Sequence, residues 1–351
     1  EALLDQSKIN GVFHFANNEL TVDSALPPIK QVNGRVQFSG SDLQLPEING
    51  VLFGGPLRVR GGTQKDGRVL ITANGTLNAA NWRKQGAPVW LGRLAGSAAY
   101  RGEVRVNGRH ADIVIESNLS GLSVDLPAPF SKKAEEAWPL RFERRNLVEA
   151  GRKKGREGNA LQEQTRFSLA GLANGEILRH KTPSGFVVDR AAIAVGQPVT
   201  LPEQGVLVAL QSERLDLDAW QVALSGVSGG SKDEKLAVPS VDAVSLKVGE
   251  LIVHGYALHD LKLNAGYKDA SRSVRGARWG VAIDSREASG EIAWEVSDAG
   301  TLTARLKRLT LDPAALEGGA KRDPAVIPND SKKKSQLNEL PAVDLVAENF
   351  S

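Results

Sequence analysis

Cysteine is missing from this chain of 351 residues, which excludes disulfide bonds and zinc sites built on thiolates. That composition fits either a reducing cytosol or a bacterial envelope protein that folds without disulfides. Aromatic residues are also scarce, at 5%, whereas Val, Leu, Ile and Ala dominate. No apolar run approaches the roughly 18 residues that a membrane span requires. We therefore expect an aliphatic, relatively smooth interior that suits contact with flexible hydrocarbon.

Charge of one sign is not in excess. The 44 basic and 41 acidic residues leave a net charge of +3 and are spread along the chain, so nucleic acid is not predicted as a partner. Neither a P-loop nor a G-x-G-x-x-G motif leading into a helix occurs, so nucleotide binding has no support. The chain begins within one strand-like phrase and stops within another, which predicts a segment of a longer protein whose anchor lies outside it.

A recurring phrase organises the sequence: a glycine, an alternating apolar strand, a polar turn, a second alternating strand and another glycine. Early copies occupy residues 9–15, 32–38, 43–54 and 57–62. Short strands of period two at close, fairly even spacing predict a β-architecture that grows by adding strands. In the later copies Leu246 and Val248 alternate with polar residues, which predicts one apolar and one solvated sheet face.

The phrases fall into two segments. Residues 1–220 form a repetitive β-groove segment with a basic insertion near 141–163. After a flexible linker at 225–240, residues 241–351 continue the groove and carry a polar insertion at 317–336. The basic run within the first insertion is predicted to be a solvated loop, with contact to an anionic headgroup or partner as the alternative.

One segment departs from the strand pattern. Residues 215–224 are predicted to form a short helix, because Asp216 or Asp218 can cap it and Trp220 shares a face with later apolar residues. The predicted fold class is thus all-β: an extended, curled, repetitive antiparallel sheet, forming a groove with a hydrophobic inner face and few short helices.

Catalytic motifs are not convincing in this sequence. Residues 226–230 match G-x-S-x-G, but a flexible linker surrounds them instead of a strand and a helix. His254, His259 and Asp260 could be drawn as a metal site, yet their spacing is typical of surface turn residues. Glu135 and its neighbour Glu136 fall in a loop. We expect no enzyme, no metal and no cofactor.

Several phrases resemble one protein family. The sequence S-G-L-S-V-D-L-P-A-P-F at 120–130, followed by Lys132-Lys133 and W-P-L at 138–140, resembles the YhdP family of Gram-negative envelope proteins, within the AsmA-like group that includes TamB. The resemblance continues in L-D-L-D-A-W at 215–220 and at 244–263, 279–284, 290–294, 300–309 and 340–347. These phrases cover most of the chain.

The resemblance implies a periplasmic protein that is anchored to the inner membrane outside this chain and carries phospholipid toward the outer membrane along a curled, hydrophobic β-groove. Phospholipid, the inner membrane and envelope proteins are the implied partners. Because the family has no catalytic motif to transfer, only the apolar strand face provides candidate residues.

Candidate lipid-contacting residues are therefore the apolar positions expected on that face. They are Val36, Phe38, Leu43, Leu45, Leu57, Val59, Ile113, Ile115, Phe167, Leu169, Leu246, Val248, Leu251, Val253, Leu261, Leu263, Val281, Ile283, Ile292 and Trp294. The alternative is that these side chains pack against one another as a closed sandwich core.

Two other functions remain open at this point. A scaffold or assembly factor would offer exposed strand edges to outer-membrane proteins or envelope partners. A carbohydrate-active β-solenoid enzyme is disfavoured, because clustered acidic residues and aromatic platforms are missing from the sequence.

Overall fold

The computed structural model describes most of the chain. The described residues are 10–22, 27–40, 42–84, 89–108, 110–147, 162–225, 241–267, 277–296, 301–310 and 342–350. The basic run at 151–158, the linker residues 226–240 and the polar insertion at 317–336 lie outside them, as does the G-x-S-x-G phrase.

The all-β fold class is confirmed: the described residues form nineteen strands of one mixed sheet. The strands are β1 Asn10–Leu20, β2 Ile29–Ser39, β3 Asp42–Leu52, β4 Gly55–Thr63, β5 Val69–Asn78, β6 Leu94–Asn107, β7 His110–Ser117, β8 Leu122–Val124, β9 Leu140–Leu147, β10 Gln162–Leu169, β11 Ala173–Thr182, β12 Gly185–Val195, β13 Gly205–Asp216, β14 Ala243–Val253, β15 Tyr256–Tyr267, β16 Ala277–Asp284, β17 Ala288–Val296, β18 Thr301–Leu309 and β19 Ala342–Phe350. The helices are α1 Ala79–Lys84, a 3-10 helix Val89–Arg93 and α2 Leu217–Ser225.

The chain groups into two compact units. Unit 1 comprises Glu1–Leu126, Phe130–Asp189 and Leu224–Leu236, and unit 2 comprises Pro127–Pro129, Arg190–Ala223 and Ala237–Ser351. The sequence had divided the chain after residue 220. Contacts instead group β13 and most of α2 with the later strands, because β13 pairs with β14.

Unit 1 is an antiparallel ladder. Consecutive strands pair from β1 through β7, β9 then pairs with both β7 and β10, and β10 pairs with β11. The short strand β8 pairs with the beginning of β6. Residues 141–147, assigned to an insertion from the sequence, form β9 instead.

Unit 2 mixes parallel and antiparallel ladders. β13 pairs in parallel with Arg190–Val195 of β12 and with β14, and β18 pairs in parallel with β19. The pairs from β14 through β18 are antiparallel. Parallel pairs need a connection that returns along the strand, and the connections that join these three pairs are residues 196–204, 217–242 and 310–341.

Candidate functional site

Unit 2 presents an apolar face that runs across its strands. Residues paired directly on neighbouring strands point to the same side of a sheet. The first row of such partners is Val195, Leu210, Leu246, Leu263, Ile283, Gly290 and Leu306. The second row is Ile193, Val208, Val244, Ala265, Val281, Ile292, Ala304 and Leu345. The third is Tyr267, Trp279, Trp294 and Leu302.

The opposite face of unit 2 is polar. One row there contains Ser245, Asn264, Ala282, Glu291 and Arg305. The Ser245 hydroxyl donates to Asn264 Oδ1 at 2.9 Å, and Arg305 forms an ion pair with Asp344 at 2.6 Å. The predicted division into an apolar and a solvated face is therefore present in these strands.

The apolar face of unit 2 is closed at one end. Leu215, Val248, Leu251 and Leu261 form a buried cluster, against which Trp220 of α2 packs. Away from α2 the face becomes accessible: Ile193 is 38% exposed, and Trp294 is 45% exposed. The three rows thus lead from a packed core to an open apolar surface.

Strict alternation would place Leu251 on the opposite face from Val248, since the two are three residues apart. The alternation is interrupted where Gly249 faces Asp260, whose φ of 54° lies in the left-handed region. A Cβ at Gly249 would lie 2.6 Å from the Glu213 carbonyl oxygen. This irregularity lets both apolar residues join one cluster.

Helix α2 is held over the core by specific contacts. Asp216 Oδ1 accepts from the Ala219 amide at 2.8 Å, which confirms the predicted capping role. The Asp218 carboxylate accepts from the amides of His254 and Gly255, at 2.7 and 2.8 Å, in the β14–β15 turn. Trp220 Nε1 donates to the Ala128 carbonyl at 3.2 Å, so the L-P-A-P-F and L-D-L-D-A-W phrases meet.

The interruption of the strand alternation at Gly249 and Asp260 is flanked by contacts of His259 with Glu287, a residue of the β16–β17 turn. The Glu287 carboxylate accepts from the His259 amide at 2.8 Å and contacts His259 Nδ1 at 2.7 Å. Desolvation alone would raise the pKa of Glu287, but the hydrogen bonds from His259 outweigh it and hold that pKa below its usual value.

Acid should therefore weaken unit 2 through Glu287. A carboxyl with a depressed folded pKa stabilises the fold above its unfolded pKa of about 4.3, and this contribution disappears as pH falls through the folded pKa. We expect Glu287→Gln to cost about 1 kcal/mol at pH 7, since His259 is partly solvated. Urea unfolding at several pH values tests this: the difference between wild type and variant should shrink below about pH 4, and a pH-independent difference would contradict it.

Unit 1 has an apolar face of the same kind. Its central row contains Phe15, Gly34, Ile48, Val59, Ala73, Gly102, Ile115, Phe142, Phe167 and Gly175. A flanking row contains Leu57, Gly75, Tyr100, Ser117, Leu140, Leu169 and Ala173. The Tyr100 ring lies over Gly75, where a Cβ would collide with it. Burial raises the pKa of the Tyr100 phenol.

A short helix closes one end of this face too. Trp82 of α1 contacts Phe53 with ring centroids 4.9 Å apart, and Phe53 lies 5.6 Å from Tyr100. Asn78 Oδ1 accepts from the Asn81 amide at 2.9 Å, as Asp216 does for α2. The two helices therefore share a pattern, Leu-Asn/Asp followed four residues later by Trp, which the sequence analysis missed although it is visible at 77–82 and 215–220.

The other end of the unit 1 face is ionic. Arg144 pairs with Ile113 and with Thr165, so it lies on the apolar side. One row beyond, Asn146 pairs with Glu163, and Glu163 pairs with Arg179. The alternation of Leu140 and Phe142 with polar residues could have placed Arg144 on this face, but its basic neighbours suggested a loop.

The predicted lipid-contacting residues fall into three groups. Those on the apolar faces of the two units are Leu45, Leu57, Val59, Ile113, Ile115, Phe167, Leu169, Leu246, Leu263, Val281, Ile283, Ile292 and Trp294, and of these Leu45, Leu57 and Ile113 are buried. Val36, Phe38 and Leu43 lie on β2 and β3, where Val36 pairs with Phe13 and Phe38 with Leu43. The structure places Val248, Leu251 and Leu261 in the packed core of unit 2, and Val253 is half-buried.

Sites for metal chemistry do not emerge from the described residues. They contain no group of three or more His, Asp or Glu side chains able to hold a metal ion. His254 lies exposed in a turn, and His259 contacts Glu287. Within the described ranges, no helix is both long and apolar enough to cross a bilayer.

Comparison with known proteins gives one match. The family model described as YhdP protein matches residues 3–351, almost the full length of the chain. No curated protein and no solved structure matches it.

Proposed function

We propose, because the chain belongs to the YhdP family, that it binds phospholipids along the apolar faces of its units and conducts them between the inner and outer membranes. In this proposal it acts without catalysis in the periplasm of a Gram-negative bacterium, and an anchor outside this chain attaches it to the inner membrane. The supporting observation is that apolar cross-strand rows continue over strand after strand and remain partly accessible.

The energetic need for such a surface is large. The two acyl chains of a phospholipid contain about thirty methylenes in total. At roughly 0.8 kcal/mol for each methylene, exposing both chains to water would cost on the order of 24 kcal/mol. A row of Val, Ile, Leu and Ala offers similar contacts at each strand, because dispersion contacts depend little on which aliphatic group supplies them. Lipid could then move from strand to strand without a deep energy minimum.

Photocrosslinking tests the proposal at two adjacent residues. Ile292 lies in the second apolar row, whereas Glu291 lies on the polar face of the same strand. We expect benzoylphenylalanine in place of Ile292 to crosslink phospholipid in cells labelled with radioactive phosphate, and the same group in place of Glu291 to give at most background. Equal labelling at both positions, or at neither, would contradict a lipid path on this face.

The second candidate function is a scaffold that pairs with an envelope protein. Strand β19 favours it, since the consecutive residues Leu345 and Val346 are 52% and 49% exposed and Phe350 is 68% exposed. Apolar residues exposed on both sides of a strand are suited to strand addition by a partner. A stable protein partner recovered with lipid-free chain would favour this alternative.

A further inference from the structure

The apolar face of unit 1 changes character along its strands. On β9, the side chains on this face run from Leu140 and Phe142, at the end of the face that α1 closes, to Arg144 and Asn146 at the other end. Charged groups on an apolar face are unfavourable unless they have partners of their own. The face is therefore amphipathic, with a closed apolar end and an ionic end.

The ionic end contains a fixed guanidinium. Arg179 Nε and Nη2 lie 2.8 and 2.7 Å from Glu163 Oε2, with the two side chains 24% and 10% exposed. The Arg179 guanidinium carbon also lies 4.2 Å from the Phe186 ring centroid. A guanidinium has five N–H donors, so these contacts orient it while leaving donors for a further acceptor.

The same end contains a buried acceptor. Asn146 Nδ2 donates to the Ala111 carbonyl at 2.9 Å, and the Asn146 amide donates to Asp112 Oδ1 at 3.1 Å. Asn146 Oδ1 is buried and has no hydrogen-bond donor among the described residues. A buried acceptor without a donor is unfavourable, so a ligand that supplies an O–H or N–H would relieve it.

We propose that Arg144, Asn146, Glu163 and Arg179 form a headgroup site for the phosphate diester of a phospholipid whose acyl chains extend toward α1. Arginine matches phosphate oxygens in geometry and charge, and Asn146 Oδ1 accepts from the headgroup alcohol or ammonium. The seven residues from Leu140 to Asn146 span about 20 Å of extended strand, which gives the chains room below the headgroup. This inference rests on the proposed function and adds a lipid orientation to it.

Competition between lipids tests the site. The full chain is incubated with equal amounts of phosphatidylglycerol, phosphatidylethanolamine and a diacylglycerol with the same acyl chains, and bound lipids are identified by native mass spectrometry. We expect the wild type to retain phospholipid over diacylglycerol at least tenfold. Arg144→Met should reduce this preference at least sixfold while binding diacylglycerol as before. The preference of Arg144→Lys should lie between those of the wild type and Arg144→Met, because lysine keeps the charge without the planar fork.

Arg166→Met is the matched control. Arg166 lies on the opposite face of β10 and forms an ion pair with Glu176 at 3.2 Å, so its loss should leave the preference unchanged. Equal retention of phospholipid and diacylglycerol by the wild type would overturn the headgroup site and leave the proposed function standing. Retention of neither lipid would overturn both. Inorganic phosphate bound by the wild type without any phospholipid preference would identify a free-anion site and overturn the lipid assignment.

Discussion

Leu261→Asp should unfold unit 2. Leu261 is 1% exposed within the cluster that Trp220 covers, and its direct partner Val248 is 3% exposed. Loss of a buried leucine side chain alone costs about 2–5 kcal/mol, and a carboxylate buried there without a partner adds several kcal/mol more. That sum is comparable with the 5–15 kcal/mol that stabilises typical domains.

Circular dichroism and limited proteolysis measure this effect. Strand signal should fall, and cleavage should begin within β14 and β15. Asn264→Asp is the control, because Asn264 is exposed on the polar face of the same strand and Asp keeps the acceptor for the Ser245 hydroxyl. We expect this control to change stability by less than about 0.5 kcal/mol. If Leu261→Asp were as stable as the wild type, Leu261 would face open space instead of a core.

The sequence predicted the β class, the capped helix and the two-faced strands because each depends on local pattern. Alternation identifies strands and their faces, and Asp216 precedes an apolar helix face at capping distance. The same alternation grouped Leu261 with Leu263 as equivalent lipid contacts. It could not distinguish them, because burial of Leu261 depends on where α2 docks, which is a tertiary contact.

Other features escaped prediction for different physical reasons. The parallel pairs of β13 and β18 depend on the path of the connections between strands, which the strand sequences do not encode. The left-handed conformation at Asp260 is accompanied by a contact between residues distant in sequence, that of the neighbouring His259 with Glu287. The ionic end of unit 1 was hidden because Arg144 and Arg145 are consecutive basic residues, although they point to opposite sides of β9.

The open part of the apolar face should respond to charge in the opposite way from the core. Ile292 is half-buried, and its partners are Val281 and Ala304 in the second row. In a lipid-free chain, a carboxylate at this position can remain hydrated, so Ile292→Asp should keep the strand content and the unfolding midpoint near those of the wild type. An acyl chain lying on the row would remove that hydration, which is unfavourable for an unpaired charge.

Ile292→Asp should therefore lower phospholipid occupancy at least tenfold, equivalent to about 1.4 kcal/mol of lost binding free energy. Ile292→Ala shortens the side chain but keeps the row apolar, so its occupancy should stay within about threefold of the wild type, consistent with the smaller apolar area removed. Lipid extraction followed by mass spectrometry measures both variants. Unfolding by Ile292→Asp would instead favour a closed core across the whole face, whereas a folded variant with unchanged lipid would mean that lipid does not follow the second row. One residue therefore distinguishes a lipid path from a sandwich core, because a core requires Ile292 for folding, whereas a lipid path requires it only for lipid binding.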